Sequence, residues 1–251
     1  MSALLEEVRS ARRDPALAVL EGFHAVKHAL RFGGRIERLV CADVAEVRSL
    51  ADALAPDVAE AVAGAHEVGD EAMAELTAVP AAGRVVAIAR RPAIDLAEVL
   101  ADPAPRPIVL LEEPRRLGNI GACVRVAAAA DAAAVLTTGP ADPWHADALR
   151  GSAGLHFALP VVRVEDGVAL GGRPLVGLAT GGVALGPGVL PARAVLAFGT
   201  ERHGLSDELL ARADARVEIP MRAGVSSLNL ATAVAVTLYS SSMTTGCARS
   251  S

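Results

Sequence analysis

Apolar residues in the second half of the chain form short uninterrupted runs, each followed by a glycine or a polar loop. The clearest run covers 194–198 and ends at Gly199, where a backbone can approach a ligand closely. Runs of this length predict buried strands, here at 108–111, 133–137, 159–164, 175–179, 194–198 and 216–219. Helical patterns separate several of them, and Ser226 and Ser227 are N-cap candidates for the last helix. This alternation predicts an α/β fold with a mainly parallel sheet.

The first half of the chain shows a smaller α/β pattern. Helices are predicted at 3–13, 21–31, 44–63 and 71–76, and strands at 38–41, 66–68 and 84–89. A proline-rich stretch follows, with Pro92, Pro103, Pro105 and Pro107 around a short helix at 95–100, which is typical of a linker. The predicted domains are therefore residues 1–91, a linker at 92–106, and a second domain at 107–251.

Composition narrows the possible partners. The formal net charge of −5 excludes a chain that is basic throughout, so any nucleic-acid site must be a local patch. Cys41, Cys123 and Cys247 lie far apart without a C-x-x-C spacing, so no metal site is expected. The N-terminus lacks the apolar core of a signal peptide, and no stretch approaches the ~18 apolar residues of a membrane span. We expect a soluble cytoplasmic protein.

One predicted helix in the first half carries a basic face. His24, Lys27, His28 and Arg31 follow i, i+3, i+4, i+7 spacing and share one side of that helix. A basic helix face of this kind usually contacts only solvent and has no binding function. The alternative is a patch that contacts phosphates, extended by Arg35 and Arg38. The two histidines have no third ligand beside them, so they do not predict a metal site.

Polar residues in the second half sit where predicted strands give way to loops. Glu201, Ser227 and Asn229 occupy two adjacent strand exits, which is where α/β proteins usually keep their sites. Capping and turn formation explain any one of these residues, but they explain all three poorly. The Gly-rich run at 180–188 is not a G-x-G-x-x-G after a first strand, so a dinucleotide-dependent oxidoreductase is poorly supported.

Three segments then resemble a known family, in the right order and spacing. NIGACVRVA from Asn119, GTERHGLS from Gly199 and IPMRAGVSSLNLATA from Ile219 look like the three motifs of the SpoU/TrmH family. These are RNA ribose 2′-O-methyltransferases of the SPOUT superfamily. The resemblance implies a C-terminal SPOUT-type sheet with a trefoil knot. EGFHAVKHAL and the strands after it resemble the ribosomal-protein-like substrate-binding domain often fused to such enzymes. Asp131 is a departure, since the family often has glycine there.

The resemblance also assigns roles to residues. It implies S-adenosyl-L-methionine (AdoMet) as cofactor, held by Thr180, Gly181, Gly199, Ile219, Met221 and Leu228. It implies a catalytic group of Asn119, Arg125, Glu201, Ser227 and Asn229. A guanidinium with a pKa above about 12 is a poor general base, so we interpret Arg125 as a clamp on the target phosphate. The RNA-contact candidates are Lys27, Arg31, Arg35 and Arg150.

Several alternatives stay open at this level. The two-domain layout favours rRNA over tRNA as substrate, and the family resemblance implies a homodimer that builds its site across two subunits. A non-catalytic RNA-binding protein of the same fold is the competing hypothesis, although all five polar motif residues are retained. The sequence does not specify the target nucleotide, nor does it separate a housekeeping enzyme from a resistance enzyme.

Overall fold

Close packing divides the chain into two units. The computed structural model describes residues 2–77, 84–200 and 203–242. The first unit contains Met1–Ala93 together with Trp144–Ala158, and the second contains the remainder. The segment Trp144–Ala158 thus packs with the N-terminal residues, although the sequence pattern groups it with residues 107–251.

The first unit is built on a four-stranded mixed sheet in the order β1-β4-β2-β3. Its strands are β1 (Leu17–Glu21), β2 (Ile36–Cys41), β3 (His66–Glu67) and β4 (Val85–Arg90). β4 pairs antiparallel with both β1 and β2, and β3 joins β2 in parallel. The helices are α1 (Ser2–Ala11), α2 (Phe23–Arg31), α3 (Val44–Leu54), α4 (Ala59–Ala63) and α5 (Asp70–Leu76). Valines and isoleucines of the strands pack against α1 and α5 to form the core.

Strand β1 corrects the predicted start of the second helix. The sequence pattern placed Glu21 at the beginning of a helix, whereas Glu21 ends β1 opposite Val86 of β4. The turn between strand and helix is made by Gly22, whose φ of +91° is a conformation that glycine adopts at no steric cost. Helix α2 therefore begins only at Phe23.

The second unit is organised around a six-stranded parallel sheet in the order β10-β8-β9-β5-β6-β7. Its strands are β5 (Ile108–Leu111), β6 (Ala134–Thr137), β7 (Val161–Arg163), β8 (Leu175–Ala184), β9 (Val195–Phe198) and β10 (Ala215–Glu218). Every residue of β5, β6 and β9 is buried, as expected for parallel strands covered on both faces. The predicted parallel α/β sheet is confirmed.

The remaining helices connect or cover these strands. They are α6 (Leu96–Ala101), α7 (Leu117–Ala129), α8 (Ala146–Gly151), α9 (Asp207–Arg212) and α10 (Leu230–Ser242). Of these, α8 lies in the first unit and the other four in the second. Helix α10 packs against α7, so the last helix of the chain lies beside the helix that follows β5.

Part of the stretch predicted as a linker at 92–106 packs within the second unit. Leu100 of α6 belongs to the same buried cluster as Ile108 and Leu175. The buried Arg173 side chain donates hydrogen bonds of 2.9 Å to the carbonyl oxygens of Leu100, Asp102 and Arg106. These contacts satisfy carbonyls at the end of α6 that the helix itself leaves unbonded. The part of this stretch around α6 therefore packs within the second unit.

The segment Trp144–Ala158 fits closely against α2 within the first unit. Gly154 has a φ of +78°, and a Cβ atom there would lie 2.4 Å from the carbonyl oxygen of Ala25. His28 donates from Nδ1 to the carbonyl oxygen of Ala153 over 2.7 Å, and burial lowers the pKa of His28 from its ordinary value. The His28 side chain therefore serves the contact between α2 and the segment Trp144–Ala158.

Candidate active site

A cavity of about 550 Å³ lies in the second unit, where β8, β9 and β10 end. Carboxyl ends of parallel strands are the usual ligand sites of α/β proteins. Five of the six predicted cofactor-binding residues line this cavity: Thr180, Gly199, Ile219, Met221 and Leu228. The sixth, Gly181, is next to Thr180 in the chain. The cavity wall combines apolar side chains with polar and charged ones, and backbone groups of the turns border it.

The turn after β9 depends on Gly199. Thr200 and Gly204 exchange two backbone hydrogen bonds, 3.1 and 3.0 Å long, which fold this turn back on itself. A Cβ atom on residue 199 would lie 2.0 Å from the Gly204 carbonyl carbon and 2.2 Å from the Leu205 nitrogen. Only glycine fits there, because real Cβ atoms do not approach backbone that closely. The turn residues Thr200, Gly204 and Leu205 form one side of the cavity.

An irregularity in the pairing of β8 and β10 shapes the opposite side. Arg216 pairs with Gly177, but the next residue, Val217, pairs with Val183, so the residues between Gly177 and Val183 bulge from the ladder. Gly182 allows this, since a Cβ there would lie 2.5 Å from the carbonyl oxygen of Arg216. The N–H of Gly181, which has a φ of +78°, donates to Oε2 of Glu218 over 2.7 Å.

Residues of the first and third motifs meet at the ends of two helices. Asn229 Nδ2 donates to Asn119 Oδ1 over 3.3 Å. Asn229 Oδ1 also accepts from the N–H groups of Ala231 and Thr232, at 3.0 and 3.4 Å. Asn229 is therefore the cap of α10, and the expectation that Ser226 or Ser227 caps this helix was wrong. Both serines are exposed and line the cavity instead.

Asn119 and Arg125 both lie within α7, whose N-cap is Arg116 rather than Asn119. The Arg125 side chain is exposed, and within the described part of the chain it makes no hydrogen bond or ion pair. Arg125 does not contribute to the wall of the cavity formed by the described residues. Asp131, at the position where the family often has glycine, adopts a φ of +56°. Glu201 lies outside the described residues.

The predicted RNA-contact residues of the first unit differ in how strongly their side chains are bonded to other residues of the protein. Arg31 donates two hydrogen bonds, 2.8 and 2.6 Å long, to Asp57, and this pairing lowers the pKa of Asp57. Arg35 has 75% of its side chain exposed, and Lys27 is half-buried. Arg150 binds Asp147 and lies 3.3 Å from the buried carboxylate of Glu21. Arg150 thus supports the first unit internally.

The described residues also bear on the expectations about metals and membranes. No group of three or more His, Cys, Asp or Glu side chains there is arranged to hold a metal ion. Within the same residues, no helix is long and apolar enough to cross a membrane.

Sequence reasoning missed one residue of the cavity wall that carries a charge. Glu218 ends β10 immediately before the third motif, and it both lines the cavity and holds the β8 bulge. The sequence did indicate a possible role for Glu218, because it is a carboxylate at a strand exit beside Ile219. Its partner Gly181 was identified, but the pairing between β8 and β10 was not.

The fold and the site define an α/β protein with a ligand cavity at the carboxyl ends of a parallel sheet. The model of the SpoU rRNA Methylase family matches residues 106–239, and the chain belongs to this family. This confirms the resemblance of the three motifs.

Relatives and solved structures extend the similarity over most of the chain. The 23S rRNA (guanosine(2553)-2'-O)-methyltransferase RlmP of Bacillus subtilis is 27% identical over 88% of this chain and 86% of its own length. An AdoMet-bound rRNA methyltransferase from Sinorhizobium meliloti superimposes with a TM-score of 0.76 at 25% identity, covering 94% of this chain and 93% of that one. The SpoU methyltransferase AviRb from Streptomyces viridochromogenes, in complex with AdoMet, gives the same TM-score and identity over 95% and 96%.

Proposed function

We propose that the protein is an AdoMet-dependent methyltransferase that modifies a ribose 2′-hydroxyl of structured RNA, and that its substrate is rRNA in the cytoplasm. The single observation that carries this proposal is the cavity itself, because residues of the second and third motifs line it together. The contact between Asn119 and Asn229 adds the first motif beside it. Relatives named as 23S rRNA 2'-O-methyltransferases support both the reaction and the substrate class.

The residues around the cavity fit AdoMet. Ile219, Met221 and Leu228 offer apolar surface to a flat adenine ring, and the backbone of the Gly199 turn can reach its polar edge. Gly199 and Gly182 let neighbouring backbone segments of the cavity wall approach more closely than any side chain would allow. When bound, AdoMet supplies a methyl group on sulfonium that is already activated for transfer.

The protein's own contribution is alignment and charge stabilisation. Holding the RNA hydroxyl in line with the methyl group can lower the barrier by roughly 7–11 kcal/mol at best. Asn119 and Asn229 position each other at the start of α7 and α10. We assign to Arg125 the binding of the target phosphate, which stabilises the hydroxyl oxygen as it ionises. Glu201 orients Arg125 or an RNA group in this proposal, and Ser227 contacts the cofactor loop or the substrate.

A second copy of the chain is part of the proposal. Arg125 is exposed and unpaired within the described residues of one chain, so a site built across two subunits gives it a role. Apolar side chains near the cavity and on α10 are exposed, namely Val225, Leu228, Val236 and Tyr239. Exposed apolar groups concentrated in one segment are typical of an interface.

We expect a homodimer in solution. Light scattering at micromolar concentration should give twice the chain mass of 25.6 kDa. Val236→Glu with Tyr239→Glu should yield monomers, because it places two charges among these apolar groups. Replacing exposed Leu54 of the first unit with glutamate is the matched control and should leave the dimer intact. A fully active wild-type monomer contradicts the proposal.

The proposal also includes a trefoil knot in the second unit. The chain leaves β10 at the edge of the sheet, yet α10 packs against α7, which follows β5 near the middle of the sheet. This return of the chain from the edge of the sheet to α7 supports the knot that the family resemblance implies. Knots are rare in other folds.

We further propose that the N-terminal residues 1–91 confer RNA affinity through the face of α2. Changing Lys27, Arg31 and Arg35 together to alanine should weaken RNA binding and flatten its dependence on salt, because each lost phosphate contact removes about 0.9 from the slope. AdoMet affinity should stay within about twofold, or below 0.5 kcal/mol. RNA titration across salt and calorimetry with AdoMet measure the two effects.

The control for this variant removes equal charge elsewhere in the same unit. Arg9, Arg13 and Arg48 are exposed and lie outside α2, so their joint replacement by alanine should reduce RNA affinity much less. If the two triple variants behave alike, or if the α2 variant binds RNA like wild type at every salt concentration, the α2 face is only solvated surface.

The cofactor can be tested separately from the RNA. Calorimetry should detect binding of AdoMet and S-adenosylhomocysteine, and no binding of NADH, because the cavity lacks a Gly-rich dinucleotide loop after a first strand. Heat from NADH with none from AdoMet overturns the proposed cofactor and favours an oxidoreductase.

A further inference from the structure

Glu218 presents a carboxylate to the cavity that is only partly used by the protein. Its Oε2 accepts the Gly181 N–H over 2.7 Å. Its Oε1 has no hydrogen-bond or ion-pair partner among the described residues, although the side chain is half-buried. Among these residues Oε1 is therefore available to accept a hydrogen bond from a ligand in the cavity.

The surroundings of Glu218 restrict what that donor can be. Ile219, Met221 and Leu178 next to it on the cavity wall are apolar. Arg216 and His203 also line the cavity, but neither forms an ion pair with Glu218 in the described structure. Glu218 thus lies in a wall that combines apolar and polar side chains, and within the described residues it has no ion-pair partner there. Carboxylates at strand ends commonly accept hydrogen bonds from ribose hydroxyls.

The position of Glu218 in the sheet indicates which part of the cofactor it meets. Glu218 ends β10, and β10 is separated from β5 by β8 and β9. With neighbouring strands about 4.8 Å apart, Glu218 lies about 14 Å along the sheet from the end of β5. Glu218 directly precedes Ile219 in the chain, and both residues line the cavity. The proposed function places Ile219 against the adenine ring, so the nucleoside is the part of the cofactor that meets Glu218.

Building on the proposed function, we propose that Glu218 is a cofactor-binding residue whose Oε1 accepts a hydrogen bond from the ribose hydroxyls of the cofactor's adenosine. Its Oε2 meanwhile keeps Gly181 and the β8 bulge in place. One carboxylate therefore shapes the wall of the cavity and selects a ribonucleoside over its deoxy counterparts.

Calorimetry with three unreactive ligands tests this inference without any turnover. The ligands are S-adenosylhomocysteine and its 2′-deoxy and 3′-deoxy analogues. The wild type should bind at least one deoxy analogue about tenfold more weakly, as expected for a lost hydrogen bond to a charged group. Glu218→Ala should bind S-adenosylhomocysteine more weakly and should no longer distinguish the three ligands. Each ratio is measured within one variant, so a general loss of affinity does not imitate the result.

A second carboxylate on the same wall provides the matched control. Asp207→Ala should keep the wild-type preference for S-adenosylhomocysteine, since Asp207 lies at the start of α9 beyond the β8 bulge. Equal affinity of the wild type for all three ligands, or a preference that survives in Glu218→Ala, overturns the role of Glu218. If S-adenosylhomocysteine itself does not bind to the wild type, the proposed function fails instead.

Discussion

Changing Arg125 to alanine should reduce methyl transfer to RNA by at least about 100-fold in single-turnover experiments. Losing one group that stabilises developing negative charge typically costs about 10²–10³ in rate. S-adenosylhomocysteine affinity should not change, because Arg125 does not line the cavity of its own chain among the described residues. RNA affinity should fall only slightly, since one phosphate contact is lost among several.

Two variants sharpen this expectation. Arg125→Lys keeps the charge but not the planar pair of donors, so it should recover only a small part of the rate. Arg163→Ala is the matched control, because this exposed arginine of the same unit bonds only the carbonyl oxygen of Pro140. Near wild-type transfer by Arg125→Ala means that the first motif has been assigned wrongly.

The second large effect is expected from Gly199→Ala. The added Cβ would overlap the backbone at Gly204 and Leu205, so the turn that forms one side of the cavity must move. Such overpacking costs about 1–3 kcal/mol, and we expect S-adenosylhomocysteine affinity to fall by roughly 5- to 100-fold. Calorimetry measures the loss, and thermal unfolding shows whether stability falls with it.

Gly186→Ala is the control for backbone effects of alanine. Gly186 belongs to the same unit, and a Cβ there meets no atom within 4 Å. This variant should bind the cofactor product like wild type. Unchanged affinity in Gly199→Ala contradicts the assignment of the cavity as the cofactor site.

Dimers that contain one chain of each variant provide a further test of the proposed shared active site. Arg125→Ala and Gly199→Ala remove different functions, and in the proposed dimer these functions come from different chains. Mixed dimers of the two variants should then regain one working site and, at an AdoMet concentration too low to saturate Gly199→Ala, transfer methyl groups faster than either parent dimer.

Much of the second unit followed from the sequence because its strands are buried on both faces. The predicted strand at 108–111 coincides with β5. The predicted strand at 194–198 differs from β9 only in that it includes Ala194. Such strands must be apolar throughout, so their pattern is plain without knowledge of their neighbours. The three motifs likewise lie at strand exits, and the cavity does form where the second and third of them meet.

Other features depended on pairing between distant residues. Strand β1 was missed because its last residue, Glu21, also reads as a helix start, and only its pairing with β4 makes it a strand. Strand β8 extends past Thr180 because Val183 and Ala184 pair with β10 beyond a bulge. No local pattern encodes these contacts.

The same limit applies to the segment Trp144–Ala158 and to Arg150. The sequence predicted Arg150 as an RNA contact but not that Gly154 lets this segment lie directly on Ala25 of α2. Arg150 then meets Glu21, which is 129 positions away in the chain. A contact at that separation in the chain is visible only in the folded unit.

The central claim is best tested by transfer of a labelled methyl group from AdoMet to total RNA lacking the modification, followed by alkaline hydrolysis of the product. A methyl group on a ribose 2′-oxygen blocks cleavage at the neighbouring phosphate, because the hydroxyl that attacks it is gone. We predict that the label enters rRNA and is recovered in an alkali-resistant dinucleotide, and that Arg125→Ala abolishes it. Label found in a base, in tRNA alone or in no RNA would contradict the account.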